Sequence, residues 1–571
     1  MTMTGGELVL RALEDEGICF AFGIPGTHNI ELYDMLATSE IVRPVLVTDE
    51  QSASFMADAV WRASGQMACV NVVPGAGLTH ALSGIAEAFM DAVPMLVLGC
   101  GIRRDSSMGY QLHDVDQAAI VGPVTKETLR PSSGEEIYST IRRACRVARD
   151  GRPGPVFVEI PANLYLFKFA DPDRTPPLTR VVDLFGGVDE IERAAELLNA
   201  ARRTLIYVGL GAANARDDIV LLAEKLEAPV ASTFQGKGVF PESHPLALWP
   251  GYGAAAPSFA RKIAATCDVT LAIGCRFGEV ATGSYGAPPP GTLIHIDIDP
   301  EALGRNYPPK VAILGDAGAI LPELVERVEQ RIVDPELRAS ILAGRVEAFR
   351  EIEGPAETGV SPGRLLRALQ KRLGPETIFT ADSGNGTFIA VEALVLDEPG
   401  KLLAPVDYSC MGYSVPAAIG AKMVMPDSPV VALVGDGAFL MTGLELLTAA
   451  SAGVAAAFFV LRDRELAQIA QFQSVAFNRK ASSLLPDYDL EAICRGVNVE
   501  CVHLDSDAGI PAALDEVSTI LAKGAPAVVD VAIDYSRKTF FTRGVVRTNL
   551  GRLPWKDRLR FVSRALVRKL H

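Results

Sequence analysis

The sequence predicts an α/β protein of three doubly wound parallel-sheet domains plus a basic C-terminal tail. First, 571 residues are too many for a single hydrophobic core. Second, short β-rich runs alternate with helical stretches along nearly the whole chain, a pattern typical of parallel sheets covered by helices. Third, a Pro-rich linker and a polar helical stretch divide this alternation into units of about 180 residues.

The first predicted domain is residues 1–170, with strands in "MACVNVV", "PMLVLGC" and "GPVFVEIP" and a helix in "THALSGIAEAFMDA". The stretch "FKFADPDRTPPLTR" is rich in Pro and charge, and therefore predicts a linker. The second domain is residues 182–335, with strands in "RTLIYVGLG", "VTLAIGC" and "GTLIHIDID". A polar, helix-prone region leads into the third domain, residues 360–540, with strands in "TIFTADSG", "VVALVGDG", "AAFFVLRD" and "PAVVDVAID".

The tail, residues 541–571, differs from the rest of the chain in charge. It holds nine Lys or Arg residues and a single acid, Asp557, whereas the whole chain has a net charge of −15. From Lys556 to Leu570, apolar residues recur at helical spacing beside a row of arginines. We expect an amphipathic helix docked on the acidic body; the alternatives are a lid over an anionic substrate and a helix at a membrane surface.

Composition excludes some classes of protein. The net charge of −15 argues against a nucleic-acid partner. The nine cysteines show neither CxxC pairs nor zinc spacing, so neither a disulfide framework nor a structural zinc site is indicated. Neither a signal-peptide pattern nor a membrane-spanning apolar run is seen, and we therefore expect a cytoplasmic protein.

Two carboxylates follow predicted strands of the third domain. Asp436 stands between two glycines in "VVALVGDGAFLMTG", and Asp463 follows the next strand 27 residues later. Gly-Asp-Gly is ordinary turn chemistry, so a surface turn is one interpretation. The other is a Mg²⁺–diphosphate site, because Mg²⁺ prefers hard oxygen ligands and shares its shell with phosphates.

Two segments of the first domain contain candidate functional residues that also have a purely structural interpretation. Glu50 ends an apolar run before a helix of small residues, a position where a carboxylate caps the helix. Thr27 and His28 lie in the Gly/Pro turn "FGIPGTHN", which by itself is only a loop between a strand and a helix.

Taken together, these motifs resemble, over about residues 5–540, the thiamine-diphosphate enzymes of the acetolactate synthase and 2-oxoacid decarboxylase superfamily. "FGIPGTHN", the glutamate segment "TDEQSASFMADA", "GAGLTHALSG", "CMGYSVPAAIGAK" and "GDGAF…RD" occur in the family order. "GPVFVEIP", "CRFGEVATG" and "LIHIDIDPEALGRN" are similar to further family segments. Within the superfamily, the motif sequences are most similar to those of acetolactate synthase-like proteins and of the guanidino-oxopentanoate decarboxylase branch.

The resemblance implies that the three domains are, in order, the pyrimidine-binding, central and diphosphate-binding domains. It also implies a site for thiamine diphosphate and Mg²⁺. Glu50 would exchange a proton with the aminopyrimidine ring of the cofactor, and Met411 would support the bent form of the cofactor. Mg²⁺ would bind Asp436, Asp463 and the carbonyl group of Glu465. The other implied cofactor contacts are Pro25, Gly26, Gly75, Ser383, Gly384, Asn385, Gly435, Gly437, Ala438 and Phe439.

Some positions depart from the family pattern. Asp49 stands where the family has a His before the glutamate, and His80 replaces the Asn of the GPG-x-TN segment. Arg462 and Asp463 replace the expected Asn-Asn pair, which adds a second carboxylate to the metal site. We expect this carboxylate to tighten metal binding and to repel diphosphate, with Arg462 or Arg464 offsetting the repulsion.

Further departures bear on the reaction. Thr27 occupies the position of a catalytic Asp in pyruvate decarboxylases, and Ile469 aligns with a Glu of those enzymes. Without these acids we favour carboligation over simple aldehyde release. His28, Thr27, Gln111 and His113 are candidate catalytic residues, as proton donors or substrate contacts, with a purely structural role as the alternative.

The resemblance therefore implies decarboxylation of a 2-oxoacid with carboligation of the enamine to a second carbonyl. The alternatives are a simple decarboxylase that releases an aldehyde, and a C–C lyase or hydrolase acting on a diketone or acyl-CoA-type substrate. The rival class is a non-catalytic relative that binds nucleotide or acts as a regulatory subunit. Because two domains hold the two ends of the cofactor, the family arrangement also implies a homodimer or homotetramer with the site at the subunit interface.

FAD is a further candidate cofactor. The segment Arg276–Gly283, "RFGEVATG", resembles one that contacts FAD in anabolic acetolactate synthases. The alternative is that Arg276 makes an ion pair between domains.

Overall fold

The computed structural model of the protein describes residues 2–174 and 187–570. These residues form three six-stranded parallel sheets with helices on both faces, which confirms the predicted fold class. The predicted start of the central domain at residue 182 and the end of the predicted linker lie outside the described residues. The other predicted domain boundaries stay predictions.

The first domain alternates strands and helices around a sheet of order β3-β2-β4-β5-β7-β6. Its elements are β1 (Thr2–Thr4), α1 (Gly5–Asp15), β2 (Phe20–Gly23), α2 (Ile30–Leu36), β3 (Arg43–Leu46), α3 (Glu50–Ser64), β4 (Cys69–Val72), α4 (Ala76–Met90), β5 (Met95–Gly101), α5 (Gln117–Val121), β6 (Glu127–Leu129), α6 (Ile137–Arg149), β7 (Pro155–Pro161), α7 (Ala162–Leu166) and β8 (Lys168–Ala170). Residues 168–170, which the sequence predicts as linker, instead pair antiparallel with β1. This contact joins the two ends of the domain, and local composition gives no sign of it.

The central domain has the sheet order β11-β10-β9-β12-β13-β14. Its elements are α8 (Val188–Ala200), β9 (Thr204–Val208), α9 (Arg216–Leu226), β10 (Val230–Ser232), β11 (Ala247–Pro250), α10 (Ser258–Ala264), β12 (Val269–Ile273), β13 (Thr292–Asp297), β14 (Val311–Leu314), α11 (Ala317–Arg327) and α12 (Pro335–Ile352). The last of these helices confirms the helix-prone region predicted before the third domain.

The third domain has the sheet order β16-β15-β17-β18-β20-β19. Its elements are α13 (Pro362–Leu373), β15 (Ile378–Ala381), α14 (Asn385–Ala393), β16 (Leu402–Leu403), α15 (Ser414–Val424), β17 (Val430–Gly435), α16 (Asp436–Thr442), α17 (Leu446–Ser451), β18 (Ala457–Arg462), α18 (Ala467–Phe477), α19 (Leu490–Gly496), β19 (Glu500–Leu504), α20 (Ile510–Leu521) and β20 (Ala527–Ala532). Its central strands are apolar and buried, because helices cover both faces of a parallel sheet.

The tail forms two helices, α21 (Phe540–Arg552) and α22 (Trp555–Leu570). The first is docked: a Cβ atom at Gly544 would lie 2.2 Å from the Cα of Ala255 in the central domain, and Arg552 donates to the carbonyl of Ser284. The second lies beside α18, where Asn478 donates to the carbonyl of Arg564 at 3.4 Å. Among the described residues, we find no helix that is both long enough and apolar enough to cross a membrane.

A buried ion network joins the first and third domains. Arg62 of α3 contacts Asp58 at 2.6 Å and Asp91 at 2.9 Å, and its side chain and both carboxylates are almost fully buried. The hydroxyl of Tyr413 donates to Asp58 at 2.6 Å. Removing one charged partner from such a network leaves a buried charge without compensation. Tyr413 belongs to the third domain, so its hydrogen bond to Asp58 ties the two domains together.

Glu87 lies at the edge of this network. Its Oε2 accepts from the backbone N–H of Cys410 at 3.1 Å. Burial, followed by the neighbouring charge of Asp91, raises the pKa of Glu87 from 4.5 to about 9. Glu87 therefore keeps its proton in the folded protein at neutral pH, whereas the unfolded chain loses it.

The substitution Glu87→Gln tests this protonation. Because the folded pKa lies above the unfolded one, wild-type stability falls as pH rises from about 4.5 towards 9, by about 1 kcal/mol per pH unit from this group. The Gln side chain can keep the hydrogen bond from Cys410 N–H without titrating, so the variant should gain stability relative to the wild type across that range. Denaturant unfolding at several pH values measures the difference; a difference independent of pH would contradict a buried proton on Glu87.

Candidate active site

The predicted site residues of the first domain lie at the carboxyl ends of neighbouring parallel strands. Residues 25–28 follow β2, Glu50 follows β3, Gly75 follows β4, and residues 111–113 follow β5. Carboxyl ends of parallel strands meet at one edge of a sheet, where α/β proteins bind ligands. The fold therefore brings residues that are far apart in sequence to the same edge.

Glu50 is the first residue of α3 and is buried. The helix is capped by its neighbour, since Asp49 Oδ1 accepts from the N–H of Gln51 at 2.8 Å. The structure thus assigns the capping role to Asp49 and leaves Glu50 available for another role. Glu50 Oε1 faces Gly77, where a Cβ atom would lie 2.9 Å away, and His80 Nδ1 lies 3.5 Å from a carboxylate oxygen of both Asp49 and Glu50.

Glycines shape the loops around Glu50. Pro25 is exposed, and the N–H of Gly26 donates to Asn29 Oδ1 at 2.7 Å. A Cβ atom at Gly26 would lie 2.5 Å from Val73, so a larger residue does not fit there. Gly75 has a φ of 63°, which favours glycine, and directly precedes α4.

The candidate proton donors form a cluster. The hydroxyl of Thr27 lies 3.2 Å from His28 Nδ1, and the rings of His28 and His113 meet edge to face with centroids 5.4 Å apart. Burial, followed by the nearby His113, lowers the pKa of His28. Gln111 lies in the same loop as His113, and its amide donates to the carbonyl of Met108 at 3.4 Å.

In the third domain, the loop after β15 has a role that sequence reasoning missed. Asp382 is buried, and its carboxylate accepts from the N–H groups of Gly412 at 2.7 Å, Tyr413 at 3.1 Å and Ser414 at 3.1 Å. Burial raises its pKa to about 7 in spite of these bonds. Asp382 thereby holds the segment that directly follows Met411; only its position at a strand end hinted at this.

The rest of that loop is open. Ser383 pairs with the hydroxyl of Ser409 at 2.8 Å. Gly384 has a φ of 130° and no atom close to where its Cβ would be except Gln468 at 3.9 Å. Asn385 begins α14 and is buried. Backbone groups can therefore approach a ligand closely at this position.

Asp436 and Asp463 lie side by side at the ends of β17 and β18. Asp436 is buried; its Oδ1 accepts from Gly437 N–H at 2.8 Å and its Oδ2 from Arg464 N–H at 2.7 Å. Burial raises the pKa of Asp436, while burial together with the charge of Asp436 raises that of Asp463 to about 7. Two crowded, partly desolvated carboxylates form a suitable donor set for a hard cation.

The basic side chains next to this pair are already engaged. Arg462 contacts Asp530 at 2.7 Å and Asp487 at 3.1 Å, and its charge partly opposes the rise that burial causes in the pKa of Asp436. The side chain of Glu465 pairs with Lys480, which leaves its carbonyl as the group that the sequence predicts as a ligand. Arg462 therefore offsets part of the charge of the two carboxylates.

The other predicted contacts of the diphosphate end surround this pair. A Cβ atom at Gly435 would meet nothing within 4 Å, and one at Gly437 would lie 3.7 Å from the methyl carbon of Met411. Ala438 is buried, and the ring of Phe439 is buried against Gly443. The phenyl ring thus packs in the core, and only the backbone at this position can contact a ligand.

These residues fit the implied groups. The carboxylates of Asp436 and Asp463 offer the oxygen donors that Mg²⁺ prefers, and small residues at 435 and 384 leave the backbone accessible to an anion. The side chain of Met411 lies over the same loop, as a support for an organic cofactor requires.

Comparison with known proteins matches the same segments. Residues 3–120 match the thiamine pyrophosphate enzyme N-terminal TPP binding domain, residues 191–324 the central domain, and residues 382–531 the C-terminal TPP binding domain. The chain is 31% identical over 558 residues to the probable acetolactate synthase large subunit of Methanocaldococcus jannaschii, covering 93% of this chain and 92% of that protein. It is 29% identical over 558 residues to the acetolactate synthase isozyme 3 large subunit of Escherichia coli, covering 94% and 96% respectively.

The chain therefore belongs to the thiamine pyrophosphate enzymes. Within that family it is an acetolactate synthase-like protein that depends on thiamine diphosphate, which confirms the resemblance predicted from its motifs. The roles of the individual site residues stay predictions.

The substitution Gly77→Ala tests the tight fit around Glu50. The added methyl group would lie 2.9 Å from Glu50 Oε1 and from a methyl group of Val73, so the glutamate must shift. We expect thiamine diphosphate to bind about tenfold more weakly, with a stability loss of no more than about 3 kcal/mol. A titration with the cofactor measures the affinity.

Gly122→Ala is the matched control, because Gly122 has helical φ and ψ of −50° and −44° and nothing within 4 Å of its Cβ position. Equal cofactor affinity in the two variants would show that Gly77 does not constrain the site.

Proposed function

We propose that this enzyme decarboxylates a 2-oxoacid, with thiamine diphosphate and Mg²⁺, and joins the product to a second carbonyl, as an acetolactate synthase-like carboligase. The observation that carries the proposal is the pairing of Asp436 with Asp463 beside an open glycine loop, while Glu50 starts a helix at the edge of another sheet. The names of its relatives add support, since both are acetolactate synthase large subunits.

The proposed roles follow from position and chemistry. Thiamine diphosphate supplies the electron sink that decarboxylation of a 2-oxoacid requires. Glu50 accepts and returns a proton at the pyrimidine end, because it is the buried carboxylate at the edge of the first sheet that does not cap its helix. Met411 supports the bent form of the cofactor, and Asp382 fixes the backbone that directly follows Met411. The Asp436–Asp463 pair holds the metal on the diphosphate.

A homodimer or homotetramer with the site between subunits is part of the proposal. Leu440, Met441, Leu444 and Leu447 follow directly after Asp436, and each is about half exposed in the single chain. So large an apolar surface beside half of a binding site is typical of an interface with another chain. We propose that this surface is buried against a second copy, which brings the glutamate end to the metal end.

FAD is not part of the proposed cofactor set. Arg276 contacts Asp407 at 2.5 Å and donates to the carbonyl of Met90 at 2.6 Å, which supports its alternative role as a link between domains. A cavity of about 500 Å³ lies beside Arg276. Part of its wall is formed by Gly209, Gly211 and Gly274, whose backbones pack against one another so closely that a Cβ atom at Gly209 or Gly211 would lie within 3.0 Å of Gly274. Flavin binding and a cytoplasmic location stay predictions.

A second candidate function is simple decarboxylation. The contact between His28 and His113 supports it, because two imidazoles at the edge of the first sheet could supply the proton that aldehyde release needs. The sequence disfavoured this function only because Thr27 and Ile469 replace the two acids of pyruvate decarboxylases. Product analysis distinguishes the two functions.

The substitution Glu50→Gln tests the proposed reaction. The amide keeps the shape of the side chain but cannot exchange the proton, so CO₂ release from 2-oxoacids should fall by about 10² to 10⁴. Thermal stability should stay close to that of the wild type. Glu500→Gln, an exposed residue of β19, is the control and should release CO₂ normally; unchanged release in Glu50→Gln would contradict the proposed mechanism.

The substitution Asp463→Asn tests the metal site. Loss of a charged oxygen donor should weaken Mg²⁺ binding by at least about tenfold, measured by activation of the apoprotein with increasing Mg²⁺. Asp487→Asn is the matched control, since Asp487 also contacts Arg462 but is exposed. If Asp463→Asn and Asp487→Asn need the same Mg²⁺ concentration, Asp463 is not a ligand.

A further inference from the structure

The residue next to the proposed catalytic glutamate is also a carboxylate. Asp49 and Glu50 are consecutive, and each has an oxygen 3.5 Å from the same nitrogen, Nδ1 of His80. The contacting atoms of the three residues all lie within 4.8 Å of one another. The Glu50 side chain is nearly buried, whereas the side chains of Asp49 and His80 are about half exposed.

Two anions at this distance repel each other unless a cation lies between them, and the repulsion grows where water is partly excluded. The imidazole of His80 lies between them, with its Nδ1 facing one oxygen of each carboxylate. It comes from α4, one turn after Gly77, which itself faces Glu50 Oε1. The imidazole therefore contacts Oε2 while the other oxygen, Oε1, is left facing the glycine.

Asp49 is fixed independently of this contact. Its Oδ1 caps α3 by accepting from Gln51 N–H, while the oxygen that faces His80 is Oδ2. The cap therefore sets the position of the Asp49 carboxylate, and this carboxylate in turn sets where the imidazole lies. Glu50 has no comparable backbone contact among the described hydrogen bonds, so its orientation depends on its neighbours.

We propose that His80 is a positioning residue for Glu50: anchored by Asp49, its imidazole bridges the two carboxylates and holds Glu50 with one oxygen directed at the cofactor. This proposal rests on the proposed function, since it assigns His80 to the glutamate of that reaction. It adds a specific dependence of Glu50 on two residues that do not contact the reacting atoms.

The test is a double-mutant cycle of His80→Asn, Asp49→Asn and the two combined. Asn keeps the capping ability of Asp, so helix α3 is retained. In His80→Asn the two carboxylates face each other without the imidazole between them, and proton exchange at the reactive carbon of bound thiamine diphosphate should slow by about ten- to hundredfold. In the combined variant the repulsion is gone while Glu50 still lacks the imidazole, so the part of the lost rate that the repulsion causes should return.

Two readouts separate positioning from a general structural effect. Deuterium exchange of the bound cofactor, followed by NMR after quenching, reports on Glu50. The affinity for thiamine diphosphate should follow the same order, weakened in His80→Asn and recovered in the combined variant. His503→Asn is the matched control, because His503 is also about half exposed and 3.4 Å from a carboxylate, that of Glu491, but lies on β19.

The outcomes distinguish this proposal from the proposed function. Wild-type exchange and cofactor affinity in His80→Asn would overturn the positioning role, as would a combined variant no faster than His80→Asn. Glu50→Gln serves as the reference in the same assays. If it too exchanges at the wild-type rate, the proposed function has failed; if it alone loses exchange, only the role of His80 has failed.

Discussion

The site depends on one buried network, in which Arg62 pairs with Asp58 and Asp91 while Asp58 accepts a hydrogen bond from the hydroxyl of Tyr413. It ties α3, which begins at Glu50, to the segment that directly follows Met411. Helix α15, which contains Gly420, can approach α3 closely because glycine has no side chain: a Cβ atom at Gly420 would lie 2.5 Å from the carbonyl oxygen of Met56 in α3. Within one chain, the start of α3 and the segment after Met411 therefore have a fixed relative position.

Each half is then built at strand ends by short contacts. Asp382 holds the segment after Met411, and the backbone of Arg464 holds Asp436 beside Asp463. On the other sheet, the Asp49 cap sets the first turn of α3 and thus the place of Glu50. In the proposed dimer, the exposed apolar residues that follow Asp436 pack against a second copy, so that the Glu50 end of one chain meets the metal end of the other without rearranging either chain.

Much of the fold was predictable, because its signals are local. β-rich runs, glycine turns and strand-end carboxylates such as Asp436 need only a few neighbouring residues to be recognised. The pairing of β1 with β8 and the Asp382 clamp were missed, because they join residues separated by 30 or more positions without any periodic pattern. Asp49 and His80 were both recognised as unusual, but their contact around Glu50 depends on how α3 packs against α4.

Carboligation is the claim most directly open to measurement. The purified protein, supplied with thiamine diphosphate and Mg²⁺, is incubated with a panel of 2-oxoacids, and CO₂, aldehydes and carboligated hydroxy-keto products are quantified. Carboligation predicts a coupled product with two 2-oxoacid molecules consumed for each CO₂ released when one oxoacid serves as both donor and acceptor. Release of one free aldehyde per CO₂, with no coupled product, would contradict it.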